Sequence, residues 1–456
     1  MTSVLDPVRT AVDRRRVFAA TIIGTTIEWY DFFIYATASG VVLAPLFFAP
    51  AGRQVAVLVA FASSGIGFLF RPLGAFIAGH LGDRVGRRPV LVGTLILMGV
   101  ATTAVGLLPT YHQIGLAAPV LLLVLRVLQG LSAGGEWGGA VLLAVEHAPV
   151  RRRGFFGTAP QIGVPLGLLL ASGALGLMSV LAPGDAFLAW GWRVPFLASV
   201  VLIAVGHYVR RRVGESPVFT ELAARKKVTS RPIAALFRTH APLVLVVALV
   251  MAGTNGPSYM IPGGFLQQYV TDPDTGIGLE LSPVLAAVTF SSLVWLATTW
   301  IAGTLSDRVG RRRMFMIGWA VQAVAVLALF PLVNTGEIAL FLLAICLLNG
   351  ATGITMGPMS SFFAELFPSS IRASGISISY AVGAVLGGAF APLIAQWLLR
   401  TTGTSGAITV YLVLLTAVGL AATAVLRDRT GIALGADAGA EEALPFVGRR
   451  GTPAQS

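Results

Sequence analysis

Residues 78–89 read AGHLGDRVGRRP, and residues 302–313, about half a chain further on, read AGTLSDRVGRRR. Each copy lies between two long apolar runs, with three arginines in the first copy and four in the second. Self-similarity of this kind is the sequence signature of a duplicated structural unit. The motif therefore predicts that the chain consists of two related halves.

A second pair of motifs supports the same register. In each half a Glu-x-x-Pro sequence is followed by an arginine seven positions after the glutamate: Glu146, Pro149 and Arg153 in the first half, and Glu365, Pro368 and Arg372 in the second. Inverted or parallel repeats of helices are typical of transporters, in which one bundle moves against the other.

The composition indicates a membrane protein. Of 456 residues, 55% are hydrophobic and 11% are charged, and the mean hydropathy is +0.82. Soluble domains carry about 25% charged residues, so this chain requires an apolar solvent. Most apolar runs reach the roughly 20 residues that cross a bilayer as a helix, and they lack the alternation of a β-barrel strand. We predict an all-α membrane protein with twelve transmembrane helices in two six-helix bundles.

The charge bursts and Gly/Pro turns divide the chain into segments. We predict a cytoplasmic N-terminal segment (1–17), two six-helix bundles (18–209 and 241–427), a central loop (210–240) and a disordered cytoplasmic tail (428–456). The individual spans are 18–41, 54–78, 89–108, 116–145, 155–182, 190–209, 241–270, 282–304, 314–334, 337–364, 372–398 and 407–427. Span 241–270 contains three glycines and two prolines, so we expect it to be broken or bent.

The basic residues set the orientation. With twelve spans, every arginine burst falls on one side of the membrane, and the other loops carry acids instead. By the positive-inside rule, both termini are cytoplasmic, and we expect a bacterial inner membrane. The net charge of +12 occurs in short bursts rather than along one soluble face, so it does not predict nucleic-acid binding. The single cysteine, Cys346, excludes a disulfide scaffold.

Several further stretches narrow the family. They are GTTIEWYDFFIY (24–35), GFLFRPLGAFIAGHLGDRVGRRP (67–89), LQGLSAGGEWGGA (128–140), WGWRVPFL (190–197) and ESPVF (215–219). With the loop signature they resemble, from about residue 18 to 427, the metabolite:proton symporter family of the major facilitator superfamily. Members of that family carry shikimate, 2-oxoglutarate, citrate, or proline and betaine. The tail here has no heptads, unlike the coiled coil of the osmosensing betaine and proline carriers.

Five charged residues stand out within predicted spans of the first half: Glu28, Asp31, Arg71, Arg126 and Glu136. Charges at bilayer depth are costly, and those that remain usually face partners or water. We predict that Asp31, Glu28, Arg126 and Glu136 serve proton coupling, with Asp31 opposite Arg126. That pair is similar to the coupling pair of sugar–proton symporters in the same superfamily. The alternative is a permanent ion pair that joins the first and fourth helices.

A second group of residues is predicted to bind the substrate. Arg71 and Arg126 offer a guanidinium fork for a carboxylate, and the alternative is that they only neutralise neighbouring acids. Polar side chains near the middle of spans are predicted to line the path, although helix–helix hydrogen bonds would explain them equally well: Tyr30, Gln161, Asn255, Tyr259 and Tyr380. The sequence shows no phosphate loop, catalytic triad or metal-ligand spacing. We therefore expect neither an enzyme nor a cofactor other than the coupling proton.

The loop motifs are predicted to form gates that hold one face closed. The resemblance implies this role for residues in both halves: Asp83, Arg84, Gly86, Arg87, Glu146, Arg153, Asp307, Arg308, Gly310, Arg311, Glu365 and Arg372. The alternative is that the arginines only fix the topology. Aspartate and glycine at fixed spacing are unnecessary for orientation, which favours the gate.

Together these features predict a secondary active transporter in the lipid bilayer that couples proton entry to uptake of a small polar metabolite, an organic acid above all. A zwitterionic osmolyte symporter and a proton-driven exporter of drugs or metabolites remain alternatives. A receptor or scaffold that moves nothing has no need of buried charges, and a channel has no need of duplicated gates. No dimerisation motif forces an oligomer, which leaves a monomer open.

Overall fold

The computed structural model describes residues 7–85, 87–134, 136–210, 232–275, 277–368, 371–432, 434 and 445–447. Nearly all of these residues are helical. Eleven helices are long and apolar enough to cross a membrane, and the shorter apolar helix Val92–Leu107 adds one more. The predicted all-α fold with twelve membrane-spanning helices, here α1–α12, is confirmed.

The first half contains six spans, several of them built from two or three helical segments. They are α1 (Pro7–Ala38, continued by Ser39–Leu43 and Ala44–Phe47), α2 (Arg53–Val85), α3 (Arg87–Leu107), α4 (Ala117–Ala133 and Glu136–Glu146), α5 (Arg153–Gly157 and Ala159–Leu181) and α6 (Phe187–Gly191, Arg193–Leu197 and Ser199–Arg210).

The second half repeats this arrangement. Its spans are α7 (Pro232–Ser258 and Phe265–Thr271), α8 (Leu281–Val309), α9 (Arg311–Val333), α10 (Ile338–Leu366), α11 (Arg372–Gly383, Ala384–Ala389 and Ala391–Thr402) and α12 (Gly406–Val425). The predicted break in the seventh span is confirmed, because α7 stops at Ser258 and restarts at Phe265. Gly264 has a φ of 83° at the restart, a left-handed conformation that suits glycine.

Two helix starts lie earlier than hydropathy predicts. Helix α1 begins at Pro7 rather than residue 18, and α7 begins at Pro232 rather than residue 241. An apolar run marks the part of a helix that lies in hydrocarbon, whereas the hydrogen-bonded helix can continue into the polar interface. The sequence pattern thus finds the membrane-embedded length and not the helix end.

The predicted disorder of the tail from residue 428 is wrong for residues 428–432, 434 and 445–447. Phe446 pairs with Leu426 in an isolated β-bridge, and Arg429 and Leu434 are buried. The composition is rich in glycine and alanine and therefore suggested a solvated chain. It did not reveal the polar surface on which this segment lies. The other tail residues are outside the described part of the chain.

The two halves meet along two symmetric seams. Helix α5 of the first half packs against α8 of the second, and α2 packs against α11. Since α8 is the repeat of α2 and α11 is the repeat of α5, the seams are related by the duplication. Within the halves, α1 packs on α5, α2 on α4, α7 on α12 and α8 on α10.

Glycines allow the backbones of α8 and α10 to approach closely. A Cβ on Gly357 would lie 2.5 Å from the carbonyl oxygen of Thr299 and 2.6 Å from the amide nitrogen of Gly303. Both neighbours are backbone atoms, so neither can move aside as a flexible side chain would. Small residues at such crossings are typical of membrane helix packing.

Gly357→Ala should therefore destabilise the protein by about 1–3 kcal/mol, the usual cost of overpacking a close contact. The measurement is the thermal unfolding midpoint of purified protein in detergent. Gly24→Ala is the matched control, because a Cβ at Gly24 in α1 meets no atom within 4 Å. Equal midpoints for the two variants would contradict the close approach of α8 and α10.

Candidate functional site

A guanidinium surrounded by aromatic rings lies where the halves meet. The guanidinium carbon of Arg71, on α2, lies 4.4 Å from the ring centre of Phe68 and 5.5 Å from those of Trp29 and Phe32. Such cation–π contacts stabilise a cation in a desolvated place. Arg71 is itself buried, so it is a positive charge held in an apolar setting.

The second half closes this group from the other side. The side chain of Arg71 lies within hydrogen-bonding reach of the Tyr380 hydroxyl on α11, and the Tyr380 ring stacks on Trp137 of α4 with ring centres 3.7 Å apart. Tyr259, at the break in α7, packs edge-on against Phe68 with ring centres 5.7 Å apart. We call Arg71, Trp29, Phe68, Trp137, Tyr259 and Tyr380 the central site.

The central site contains polar atoms that the protein leaves unsatisfied. In the described part of the chain, the hydroxyl of Tyr259 and both polar atoms of the Asn255 amide are buried without a hydrogen-bond partner. The indole nitrogens of Trp29 and Trp137 share this condition. Because buried polar groups are almost always hydrogen-bonded, this concentration indicates a place where a polar ligand or water binds. Glu28 lies close enough to act electrostatically on Tyr259 and Tyr380.

Asp31 and Arg126 do not form the predicted ion pair. Both are buried, but Asp31 accepts a hydrogen bond from the Ser199 hydroxyl at 2.7 Å and lies within hydrogen-bonding reach of Thr102. Among the described residues, none forms an ion pair with Asp31. The sequence correctly assigned the two residues to the first and fourth helices. Two other polar side chains, however, lie between them.

Those side chains form a hydrogen-bonded relay that starts at Arg126 and ends beside Asp31. Arg126 donates to the Gln129 amide oxygen at 2.7 Å, and Gln129 donates to the Thr102 hydroxyl at 2.8 Å. The Thr102 hydroxyl donates its own proton to the backbone oxygen of Met98 at 3.0 Å and lies within reach of Asp31. Sequence reasoning missed Gln129, Thr102 and Ser199. Gln129 stood in one of the quoted motifs, and a polar residue in an apolar run is the signal that would have found it.

Arg126 is also occupied on its other sides. Its guanidinium donates to the backbone oxygen of Ser64 at 2.9 Å and lies 3.8 Å from the ring centre of Tyr35. These partners all belong to the first half. The guanidinium of Arg126 is therefore engaged within the first half, and its position does not support the prediction that Arg126 contacts substrate. Arg71, by contrast, faces the central site.

Two more predicted path residues lie in helix contacts. The Tyr30 hydroxyl donates to the backbone oxygen of Pro195 on α6 at 2.6 Å, so Tyr30 does not face the central site. The Gln161 amide donates to Ser360 of α10 at 3.0 Å and thus joins the halves. Both residues therefore form helix–helix hydrogen bonds, which was the alternative to lining the substrate path.

The end of the bundle that carries Arg153, Arg311 and Arg372, here called the arginine-rich end, is closed by crossed ion pairs. Arg153 of the first half lies 3.9 Å from Glu365 of the second, and Arg372 of the second lies 3.5 Å from Glu146 of the first. The duplicated Glu-x-x-Pro motif thus places the arginine of each half beside the glutamate of the other. All four side chains are at most 7% exposed.

Asp307 adds a contact between the halves at the same end. Its carboxylate accepts from the backbone amides of Gly154 at 2.7 Å and Phe155 at 3.0 Å, at the start of α5. A carboxylate is stabilised at a helix N-terminus. Arg311 holds Asp307 at 2.8 Å and also contacts Glu365 at 3.4 Å. One network therefore contains Asp307, Arg311 and Glu365, which are three of the six predicted gate residues of the second half.

The remaining gate residues are placed as follows. Gly310 has a φ of 101°, which allows α8 to end and α9 to begin within one residue. Arg308 is exposed. Gly86 is outside the described residues, as are the side chains of Asp83, Arg84, Arg87 and Glu136, so their predicted roles stay predictions.

The opposite end of the bundle has a contact of its own. Arg53 of α2 lies 2.7 Å from Asp272, which follows α7. Beside this pair is a cavity of about 780 Å³ whose lining includes Gly40, Asp185, Gln268 and Ser282 from both halves. Both ends thus have contacts between the halves, with the central site enclosed between them.

Two helix bundles that enclose a central polar site, with contacts able to seal each end, define a polytopic membrane transporter. The sequence profile of the Major Facilitator Superfamily matches residues 21–378 and 243–451. The inner membrane metabolite transport protein YhjE of Escherichia coli (strain K12) is 40% identical over 88% of this chain and 91% of its own length. The shikimate transporter of the same strain is 36% identical over 84% and 88%. The chain belongs to the major facilitator superfamily and, within it, to the metabolite:proton symporter family.

The relatives confirm a metabolite transporter rather than an enzyme. Among solved structures, the proton:xylose symporter XylE bound to 6-bromo-6-deoxy-D-glucose has a TM-score of 0.71. That match covers 91% of this chain and 95% of that one at 16% sequence identity. At this identity the likeness concerns the fold alone, which is the twelve-helix major facilitator fold.

Glu365→Gln should open the arginine-rich end, because it removes the charge that faces both Arg153 and Arg311. The reporter is Ser361→Cys in a Cys346→Ser background, since Ser361 is buried and bonds the backbone of Arg153. Maleimide labelling in lipid nanodiscs should accelerate by on the order of tenfold or more, because each loss of about 1.4 kcal/mol from the closed state raises the open population tenfold.

Glu280→Gln is the control for this experiment. Glu280 is exposed and precedes α8 at the end remote from Arg311. It should leave the labelling rate of the cysteine at position 361 unchanged. The closing role of Glu365 is wrong if both variants label at the same rate.

Proposed function

We propose that this transporter couples the entry of protons to the uptake of a small organic acid by alternating access. It would act in the bacterial inner membrane with both termini cytoplasmic, so that the arginine-rich end faces the cytoplasm. The proposal rests on two observations. The central site contains a buried cation, Arg71, and the first half also contains a buried carboxyl group, Asp31, that forms no ion pair among the described residues.

Arg71 supplies the recognition of a carboxylate. A guanidinium offers donors in a planar fork that matches a carboxylate, and Arg71 is a charge that the aromatic rings of Trp29, Phe32 and Phe68 keep in place. Tyr259 and Asn255 bring unsatisfied polar atoms from the second half. A ligand bound to both sets would draw the halves together around the central site.

The aromatic residues supply the recognition of the carbon skeleton. Trp137 and Tyr380 stack on each other, and Tyr259 packs edge-to-face with Phe68. Ligand sites are mostly apolar, with a few polar groups that fix orientation. This arrangement favours a compact acid with a carbon ring or chain over a fully hydrated ion.

Asp31 supplies the proton. Burying an isolated carboxylate costs far more than burying the neutral acid, and Asp31 is 2% exposed with hydroxyl partners only among the described residues. A conformation that admits water to Asp31 would favour release of the proton. The relay from Arg126 through Gln129 ends at Thr102 beside this carboxyl group, and the charges of Arg126 and Arg71 act on each other.

The two ends supply alternation. The crossed ion pairs and Asp307 close the arginine-rich end, and Arg53 with Asp272 bridges the halves at the other. Each contact lowers the free energy only of those states in which its own end of the bundle is closed. A ligand shifts the populations of the states by the difference in its affinity for them. Inward movement of a proton adds about 2.3 kcal/mol per 100 mV of membrane potential.

A zwitterionic osmolyte is the second candidate substrate. Aromatic faces bind quaternary ammonium groups through cation–π attraction, and Trp29, Trp137 and Tyr380 are all present in the central site with Glu28 nearby. The carboxylate of such a molecule would still bind Arg71. Both substrate classes would therefore bind the guanidinium of Arg71. They differ in what the aromatic faces would contact, which is the carbon skeleton of an acid or the quaternary ammonium group of an osmolyte.

Arg71→Gln should abolish ligand binding. Purified protein is screened for a rise in unfolding temperature with shikimate, 2-oxoglutarate, citrate, proline and glycine betaine, since a ligand stabilises the state that it binds. We expect an organic acid to raise the midpoint in the parent protein and to have no effect on Arg71→Gln. Arg400→Gln, at an exposed position near the end of α11, is the control. Stabilisation by betaine and not by the acids would favour the osmolyte.

Asp31→Asn should separate binding from coupling. The amide can still accept from Ser199 but cannot release a proton, so uptake driven by a pH gradient in proteoliposomes should vanish while counterflow exchange of the stabilising acid persists. Asp185→Asn, an exposed position, should retain both activities. Undiminished gradient-driven accumulation by Asp31→Asn would remove Asp31 from the coupling mechanism.

A further inference from the structure

The chain that follows α12 returns across the arginine-rich end instead of leaving the protein. We call residues 428–434 the tail segment, of which all but residue 433 are described. It begins three residues after α12 ends at Val425. Leu434 is 4% exposed, and its burial marks the far end of the segment as packed on the bundle.

The tail segment is anchored on the second half at the start of α9. The amide of Arg311 donates to the Thr430 hydroxyl at 3.0 Å, and the amide of Arg312 donates to the Asp428 carboxylate at 3.2 Å. Asp428 also accepts from the Thr430 amide at 3.0 Å, which fixes the turn. The first amides of a helix lack partners within the helix and favour an acceptor and a negative charge.

The same segment binds the arginines of the crossed ion pairs. Arg153 of the first half donates to the backbone oxygen of Ile432, and Arg372 of the second half donates to the backbone oxygen of Leu434 at 3.1 Å. Each of these guanidinium groups also faces a glutamate of the opposite half. The tail segment therefore connects the two halves through the groups that close this end.

A second stretch of the tail is attached separately. Arg427 donates its amide to the backbone oxygen of Pro445 at 2.8 Å, and Val447 donates its amide to that of Val425 at 3.0 Å. Among the described residues, the hydrogen bonds of this bridge join the tail to residues 425–427 and not to the first half. Removal of residues after 434 thus takes away the bridge and leaves the tail segment.

We propose that the tail segment is an intramolecular latch that docks across both halves and stabilises the closed state of the arginine-rich end. For that end to open, Arg153 and Arg372 must move apart, and the segment must then release at least one of the backbone oxygens of Ile432 and Leu434. The latch binds the closed state alone, so it shifts the equilibrium between the two access states towards closure of this end. Its effect does not depend on which solute the transporter carries.

The test compares two truncated chains in the Cys346→Ser background, one ending at Arg427 and one ending at Leu434. Two reporters are used separately: Ser361→Cys beside Arg153, and Ser282→Cys on the cavity at the opposite end. Maleimide labelling is measured in lipid nanodiscs, where both ends are accessible. Full-length Leu434→Asp serves as a third variant, because it places a charge where Leu434 is buried.

We expect the chain ending at Arg427 and Leu434→Asp to label position 361 on the order of tenfold faster, since they lose charge-assisted hydrogen bonds of the closed state. Labelling at position 282 should slow in the same variants, because the opposite end closes as this one opens. The chain ending at Leu434 should behave as the full-length protein.

Two results would overturn the latch. If the chains ending at Arg427 and at Leu434 label position 361 equally, the tail segment does not hold this end closed. If removal of the segment accelerates labelling at both positions, it stabilises the fold and not one access state. Neither readout requires transport, so failure of the latch and failure of the proposed proton coupling are separate outcomes.

Discussion

The cost of placing a charge in hydrocarbon governs the interior of this transporter. Every buried ionisable group must find partners within the protein. The kind of partner that a group has distinguishes the groups that support the structure from those that are candidates for function. Arg126 is surrounded by a backbone oxygen, an amide and an aromatic face, all within one half. Arg71 and Asp31 are held differently, because the partners of Arg71 come from both halves and those of Asp31 are hydroxyl groups. Arg71 therefore changes environment when the halves move, whereas Asp31 keeps its hydroxyl partners within the first half.

The duplication of the chain turns the same constraint into a closing device. Since both halves carry Glu-x-x-Pro with an arginine seven positions on, the arginine of each motif meets the glutamate of the other half. Such pairs are satisfied only while the halves are together, and separation exposes them to water, where they are weak. The tail segment binds two of the same arginines. Closure at this end therefore rests on few groups, and Arg153 and Arg372 are each shared between a cross-pair and the tail.

Much of the fold and part of the site followed from sequence patterns. Long apolar runs predicted twelve spans, the glycines and prolines of α7 predicted its break, and the motif positions predicted which residues of the second half meet at one end. Three details did not follow. The Asp31–Arg126 pair is replaced by a relay through Gln129 and Thr102, Tyr30 bonds α6 instead of the central site, and part of the tail is ordered on the bundle. Each depends on side-chain reach across helices, which periodicity does not encode.

The sequence alone determined that the chain lives in a bilayer, that it is duplicated, and that charged residues are concentrated in the first half and in the loops. These properties depend on transfer free energy and on repeated motifs, which are local and additive along the chain. Only the tertiary structure decided that Arg71 faces the central site while Arg126 does not, and that the two Glu–Arg motifs pair crosswise. A bond between side chains more than 200 residues apart, such as Arg372 with Glu146, depends on the packing angle and register of whole helices, and no segment of the sequence carries that information by itself.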